Sequence, residues 1–123
     1  MPMPFVDHVG ARFVEVTPGA SVLALDLQDH HLNSNDVVHG GVLFTLADTG
    51  MGAALYATLE PGQACATIEI KINYFRPVLE GPLLCRSLLL HRGRSTAALE
   101  STLSVGETVV GKASGTFAII ARR

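Results

Sequence analysis

This 123-residue sequence predicts an α+β fold, with a curved antiparallel sheet of five to six strands wrapped around one long central helix. Two observations carry that expectation. The first is the run from Gly40 to about Thr58, which is long enough for about four to five helical turns. Its Val42, Leu43, Leu46, Ala47, Met51, Ala54, Leu55 and Tyr56 leave almost no polar face. A helix that is apolar all round must be covered all round. A curved sheet, helped by packing against a second subunit, would cover it. The second observation is the series of strand-like segments on either side, joined by connections too short for parallel crossovers, so antiparallel pairing is expected.

The elements follow in order. "GARFVEV" and "SVLALDLQ" flank Thr17-Pro18-Gly19, which is turn chemistry, and read as a hairpin. The polar stretch Asp29 to Asp36 reads as a loop. The helix follows, and Pro61 and Gly62 end it. "TIEIKINYF" alternates, with Ile68, Ile70, Ile72 and Tyr74 facing one way and Thr67, Glu69, Lys71 and Asn73 the other. "GPLLCRSLLLH", "STAALESTLSV" and "ETVVGKASGTFAII" complete four strands expected in meander, with turns at "RGR" and "VGE". No linker or repeat interrupts the pattern, so one domain over residues 1–123 is expected.

Composition excludes several function classes. The net charge is −2 and no block of like charge occurs, which argues against a nucleic-acid partner. Cys65 and Cys85 match no zinc or redox spacing and read as reduced core thiols. No metal site and no cofactor are expected. The longest apolar stretch, Val42 to Leu59, is broken by Asp48, Gly50 and Gly52 and falls short of the ~20 clean residues of a membrane span. The opening "MPMPFVDH" lacks the pattern of a signal peptide. The expectation is a cytoplasmic protein with no membrane partner.

The helix raises the functional question, because Asp48 is its lone ionisable side chain. A buried carboxylate must neutralise, find a partner or face a wet cleft. Asp48 is therefore either a structural acid with a hidden partner or a working residue. At the head of the helix stands His39-Gly40-Gly41. The first amides of a helix have no intrahelical acceptor, and two glycines leave them open to a ligand oxygen. Such an end also carries partial positive charge and suits an oxyanion. The bland alternative is a tight loop-to-helix turn. Gly40 and Asp48 lie eight residues apart, or about 12 Å along one helix, too far to act on one carbonyl. If both work, the helices of two subunits must run antiparallel, with the Gly-Gly amides of one facing Asp48 of the other.

Asn33, His39-Gly40-Gly41 and Asp48 form an N-x5-HGG-x6-D pattern. It resembles the hotdog-fold acyl-CoA thioesterases of the phenylacetate-degradation, PaaI-like type. "PFVDHVGARFVEVTPGASVLALDL", "TIEIKINYFRP" and "GRSTAALESTLSVGETVVGKASGTF" extend the resemblance over nearly the whole chain. The resemblance implies a thioesterase that hydrolyses an acyl- or aryl-CoA thioester. In it Asp48 is nucleophile or general base, and the Gly40 amide, supported by Gly41, polarises the carbonyl. Asn33 and Thr67 position the thioester or the attacking water, and His39, a further catalytic candidate, supports the turn and is placed to contact the thioester region. Strict alternation puts Thr67 away from its own helix, so it would reach a site only where its strand edges a dimer interface. Coenzyme A phosphates need cations; Arg76, Arg92 and Arg94 are candidates, with Arg122-Arg123 at the tail. A tetramer built from two dimers is implied. Two other readings stand beside this one, a hotdog-fold acyl-CoA hydratase or dehydratase and a non-catalytic acyl-CoA-binding protein. The pocket floor is expected at small helix residues such as Gly52 and Ala53 and at apolar strand residues.

Overall fold

A computed structural model describes residues 2–123. One antiparallel six-stranded sheet carries one long helix across its inner face. The elements run α1 (Pro4–Val9), β1 (Arg12–Thr17), β2 (Ala20–Leu25), a short 3-10 turn (Asp29–His31), α2 (Gly40–Tyr56), β3 (Gln63–Tyr74), β4 (Leu83–Arg92), β5 (Thr96–Val105) and β6 (Thr108–Ala121). No helix of the described residues is long and apolar enough to cross a membrane.

The strand order is β1-β2-β4-β5-β6-β3, which corrects the expected four-strand meander. Only β4, β5 and β6 form a meander; β3 lies at the far edge and pairs with β6. The reason lies in the connection between β3 and β4. The turns after β4 and β5 are tight, whereas residues 75–82 hold Pro77 and Pro82. Proline cannot donate to a ladder, and this longer segment carries the chain across instead. The short helix α1 is an addition to the expected elements, marked by Pro4 at its start and a left-handed Gly10 at its end.

The core lies between α2 and the sheet. Leu43, Leu46, Ala47, Met51, Ala54 and Leu55 of the helix meet Leu23, Leu25, Leu83, Cys85, Leu99, Leu103 and Phe117. Beneath the middle of α2 runs a buried line of serines. Ser21 Oγ donates to the Gly50 carbonyl at 2.7 Å, and Ser101 Oγ donates to the Ala47 carbonyl at 3.2 Å while sharing a 2.7 Å bond with Ser87 Oγ. Every one of these buried hydroxyls has a partner, so the polar groups cost little and hold the helix close. Gly50 permits that approach, because a Cβ there would collide with Ser87 Oγ.

The sheet does not cover the whole helix. The stripe Gly41, Phe44, Thr45, Asp48, Thr49, Gly52, Ala53 and Tyr56 stays open to varying degrees, with Phe44 39% and Tyr56 43% exposed. The expectation of a helix covered all round is thus met on the sheet side alone. This open stripe positions the site.

Candidate active site

Asp48 projects from the open stripe of α2. Thr67 Oγ1 of β3 donates to Asp48 Oδ1 at 2.6 Å. This corrects the expected alternation, which turned Thr67 away from its own helix. The register of β3 against β6 slips between Thr67 and Glu69, marking a β-bulge. One extra residue inverts the phase of the strand. Cys65 and Thr67 therefore face α2 before the bulge, whereas Ile70, Ile72 and Tyr74 do so after it. Ile68 is left 59% exposed, against its expected place beside Ile70.

Asp48, Thr49 and Thr67 form the polar end of a cleft of about 500 Å³. Gly52, Ala53, Phe13, Val16 and Phe117 are among its apolar walls, so the small helix residues expected at the floor are there. Tyr56 lies on the same wall, with its hydroxyl accepting from Arg122 Nη1 at 2.9 Å. Cys65 also lines the cleft, and its thiol pKa is raised, first by burial and then by the negative charge of Asp48. Among the described residues, no cation lies within ion-pair distance of Asp48. The acid thus has a hydroxyl donor and an apolar chamber rather than a neutralising partner.

The head of α2 lies elsewhere. Gly40 lines a second cleft of about 340 Å³ with Tyr74, Arg76 and Val78. His39 caps the helix, its Nδ1 accepting the Gly41 N–H at 2.8 Å. The Tyr74 hydroxyl donates to the Gly40 carbonyl at 2.9 Å. Among the described residues, the Gly40 N–H has no hydrogen-bond partner. Partial burial raises the Tyr74 pKa.

The structure therefore brings Asp48 and Thr67 together in one cleft, and Gly40 and Arg76 in another. Asn33 organises the loop before the helix, with Oδ1 accepting from the N–H of Asn35 at 2.8 Å. Arg92 donates to Gln63 Oε1 at 3.2 Å, and Arg94 is exposed in the turn after β4. Tyr74 and Cys65 lie outside the set of site residues expected from the sequence. Both become visible only once the bulge fixes which side chains of β3 face the helix.

One long helix carrying a lone acid, crossed by a six-stranded antiparallel sheet, defines a hotdog fold. The thioesterase superfamily model matches residues 35–114, and the chain belongs to that superfamily. Its type there is PaaI-like. The acyl-coenzyme A thioesterase PaaI of Escherichia coli is 29% identical over 93 residues, covering 75% of this chain and 64% of that protein. PA0474 of Pseudomonas aeruginosa, provisionally named an esterase, is 33% identical over 116 residues, 93% of this chain and 87% of that one. Among solved structures, the conserved protein PA5202 of Pseudomonas aeruginosa superposes with a TM-score of 0.93 at 34% identity, covering 98% of this chain and 96% of that chain.

Proposed function

We propose that this thioesterase hydrolyses acyl- or aryl-coenzyme A thioesters at a site shared between two antiparallel copies of α2. The observation that carries the reading is Asp48, hydrogen-bonded to Thr67 at the mouth of an apolar cleft. A carboxylate held by one hydroxyl keeps lone pairs free for a water proton or for a carbonyl carbon. In the general-base form, Asp48 takes a proton from water and the oxygen attacks the thioester carbonyl. The C–S bond then breaks, and the thiolate leaves and is protonated. In the nucleophilic form, a carboxylate oxygen attacks the carbonyl carbon, the C–S bond breaks and the thiolate leaves and is protonated; water then hydrolyses the resulting anhydride to the free acid and the Asp48 carboxylate.

The oxyanion needs a donor, and Asp48 has none of its own. The Gly40 N–H is unpaired but sits about two turns away, in a different cleft. Pairing two helices antiparallel through their open stripes brings the amide of one subunit to the acid of the other. Gly41 supports the turn through its bond to the His39 ring, and Asn33 holds the preceding loop. Arg76, beside Gly40, is the first candidate for the nucleotide phosphates, with Arg92 and Arg94 further out. The acyl or aryl group, of which phenylacetyl is one, occupies the apolar cleft. A tetramer of two such dimers, working in the cytoplasm, completes the proposal.

The test is thiol release from phenylacetyl-, benzoyl- and medium-chain acyl-CoAs by wild type and Asp48→Asn. The expected result is turnover by wild type and a loss above ~100-fold in the variant, the scale of a missing general base. Equal turnover by a folded Asp48→Asn protein would remove Asp48 from the chemistry. Hydration of an enoyl-CoA, or saturable binding without turnover, would favour a hydratase or a binding protein instead.

A further inference from the structure

We propose that Tyr74 is a positioning residue for the helix-head amide: its hydroxyl, seated on the Gly40 carbonyl, holds the Gly40–Gly41 turn so that the Gly40 N–H is aimed at the thioester oxygen. This rests on the reading of Gly40 given above.

Two consecutive glycines are the residues least able to hold a backbone geometry by themselves. A donor that stabilises a developing oxyanion works best when its orientation is fixed beforehand. Here the peptide joining Gly40 and Gly41 is gripped at both of its polar atoms. The Tyr74 hydroxyl donates to its carbonyl at 2.9 Å, and its N–H donates to His39 Nδ1 at 2.8 Å. The Gly41 N–H is thereby committed, which leaves the Gly40 N–H as the free donor. The fit of ring to backbone is close. A Cβ at position 40 would stand 3.0 Å from Tyr74 Cζ and 3.1 Å from its hydroxyl oxygen. Glycine at 40 is thus the complement of tyrosine at 74, and the open helix head and the clamp require each other.

The bulge in β3 makes the clamp possible. Thr67 and Tyr74 are seven residues apart, and a regular strand would send them to opposite faces. The register slip between Thr67 and Glu69 brings both to α2. A single strand therefore holds the acid through Thr67 and the amide through Tyr74. In an antiparallel dimer these two grips serve different sites, so each β3 supports both catalytic centres.

Tyr74→Phe removes the hydroxyl and keeps the ring. Steady-state kinetics use whichever acyl-CoA of the panel wild type hydrolyses fastest. The expected result is a fall in kcat of about tenfold, part of what a whole oxyanion donor contributes, with KM changed less than about twofold. The melting temperature should move by less than about 4 °C. The second readout is the carbonyl stretch of the same thioester bound to Asp48→Asn. It should shift toward its free value in Asp48→Asn/Tyr74→Phe, and likewise in Asp48→Asn/Gly40→Ala, where the added Cβ pushes the ring away. An unchanged kcat and an unchanged carbonyl frequency, beside an inactive Asp48→Asn, would overturn the role of Tyr74 alone. A lower melting temperature without a carbonyl shift would reduce Tyr74 to a packing residue and overturn it too. Full turnover by Asp48→Asn would overturn the proposed function and this inference with it.

Discussion

Thr67 and Asp48, nineteen residues apart in sequence, meet across 2.6 Å, with the hydroxyl donating to the carboxylate at the mouth of the larger cleft. Thr67→Val keeps the shape and removes the donor. A hydrogen bond to a charged group is worth about 1.5–3 kcal/mol. Thr67 is exposed in the single chain, so its effect on stability should be small. The expected outcome is a kcat at least about tenfold lower with an unchanged thermal melt. Normal turnover by Thr67→Val would mean that the bond does not orient the acid.

The cleft wall offers a test of acyl selection. A Cβ at Gly52 would meet Phe117 at 3.7 Å, an ordinary contact, so Gly52→Val should fold. Its methyl groups would fill space between Asp48 and Tyr56. KM for aryl and medium-chain thioesters should rise about tenfold or more, while acetyl-CoA is affected little; one or two lost methylene-sized volumes account for this scale. A uniform effect across chain lengths would place the acyl group elsewhere.

Gly50 faces the buried serines rather than the cleft. Gly50→Ala forces a methyl against Ser87 Oγ and should destabilise by about 1–3 kcal/mol in urea unfolding. Ser87→Ala relieves that clash, so the double variant should be more stable than the sum of the single changes predicts. Strict additivity would show that the helix and sheet can move apart freely.

The two thiols give a pH test with a definite sign. Burial pushes Cys85 from 9.0 up to about 11, so its neutral form is favoured in the folded chain. Its contribution to stability is fully present below pH 9 and is lost as pH rises through about 11, because the unfolded chain gives up the proton first. Cys85→Ala should flatten that alkaline limb in urea titrations. Cys65 is raised by burial and by Asp48, so Asp48→Asn should lower its pKa and speed its labelling at pH 8. An unchanged labelling rate would separate the thiol from the acid's charge.

Single turnover in 18O-water separates the two roles open to Asp48. Label in Asp48 marks an anhydride opened at the aspartyl carbon, because direct attack by water leaves that carboxylate unlabelled.

The central helix, the strand segments and the loop before the helix were legible because period and turn chemistry are local. So were Asp48 as a lone acid and the separation of Gly40 from it along the helix axis. The order of β3 was not, since pairing with β6 depends on where residues 75–82 carry the chain. The bulge was hidden for a similar reason. "TIEIKINYF" alternates without a break, and its phase slip at Ile68 arises only against the partner strand. Strict alternation therefore puts Thr67 and Tyr74 on opposite faces, which hides the contact of Tyr74 with Gly40.

The serine line beneath α2 bears on how this scaffold can diverge. Ser21 and Ser101 grip the helix by main-chain carbonyls, which every amino acid supplies. Their hold is indifferent to which side chains stand on the opposite side of the helix. Single exchanges at residues 49, 52, 53 and 56 are therefore expected to leave the helix seated, which thermal melts of the single variants would check. With the acyl group in this cleft, as proposed, new acyl preferences would be reachable by single steps through folded intermediates, with inheritance of the scaffold uncoupled from novelty in the substrate.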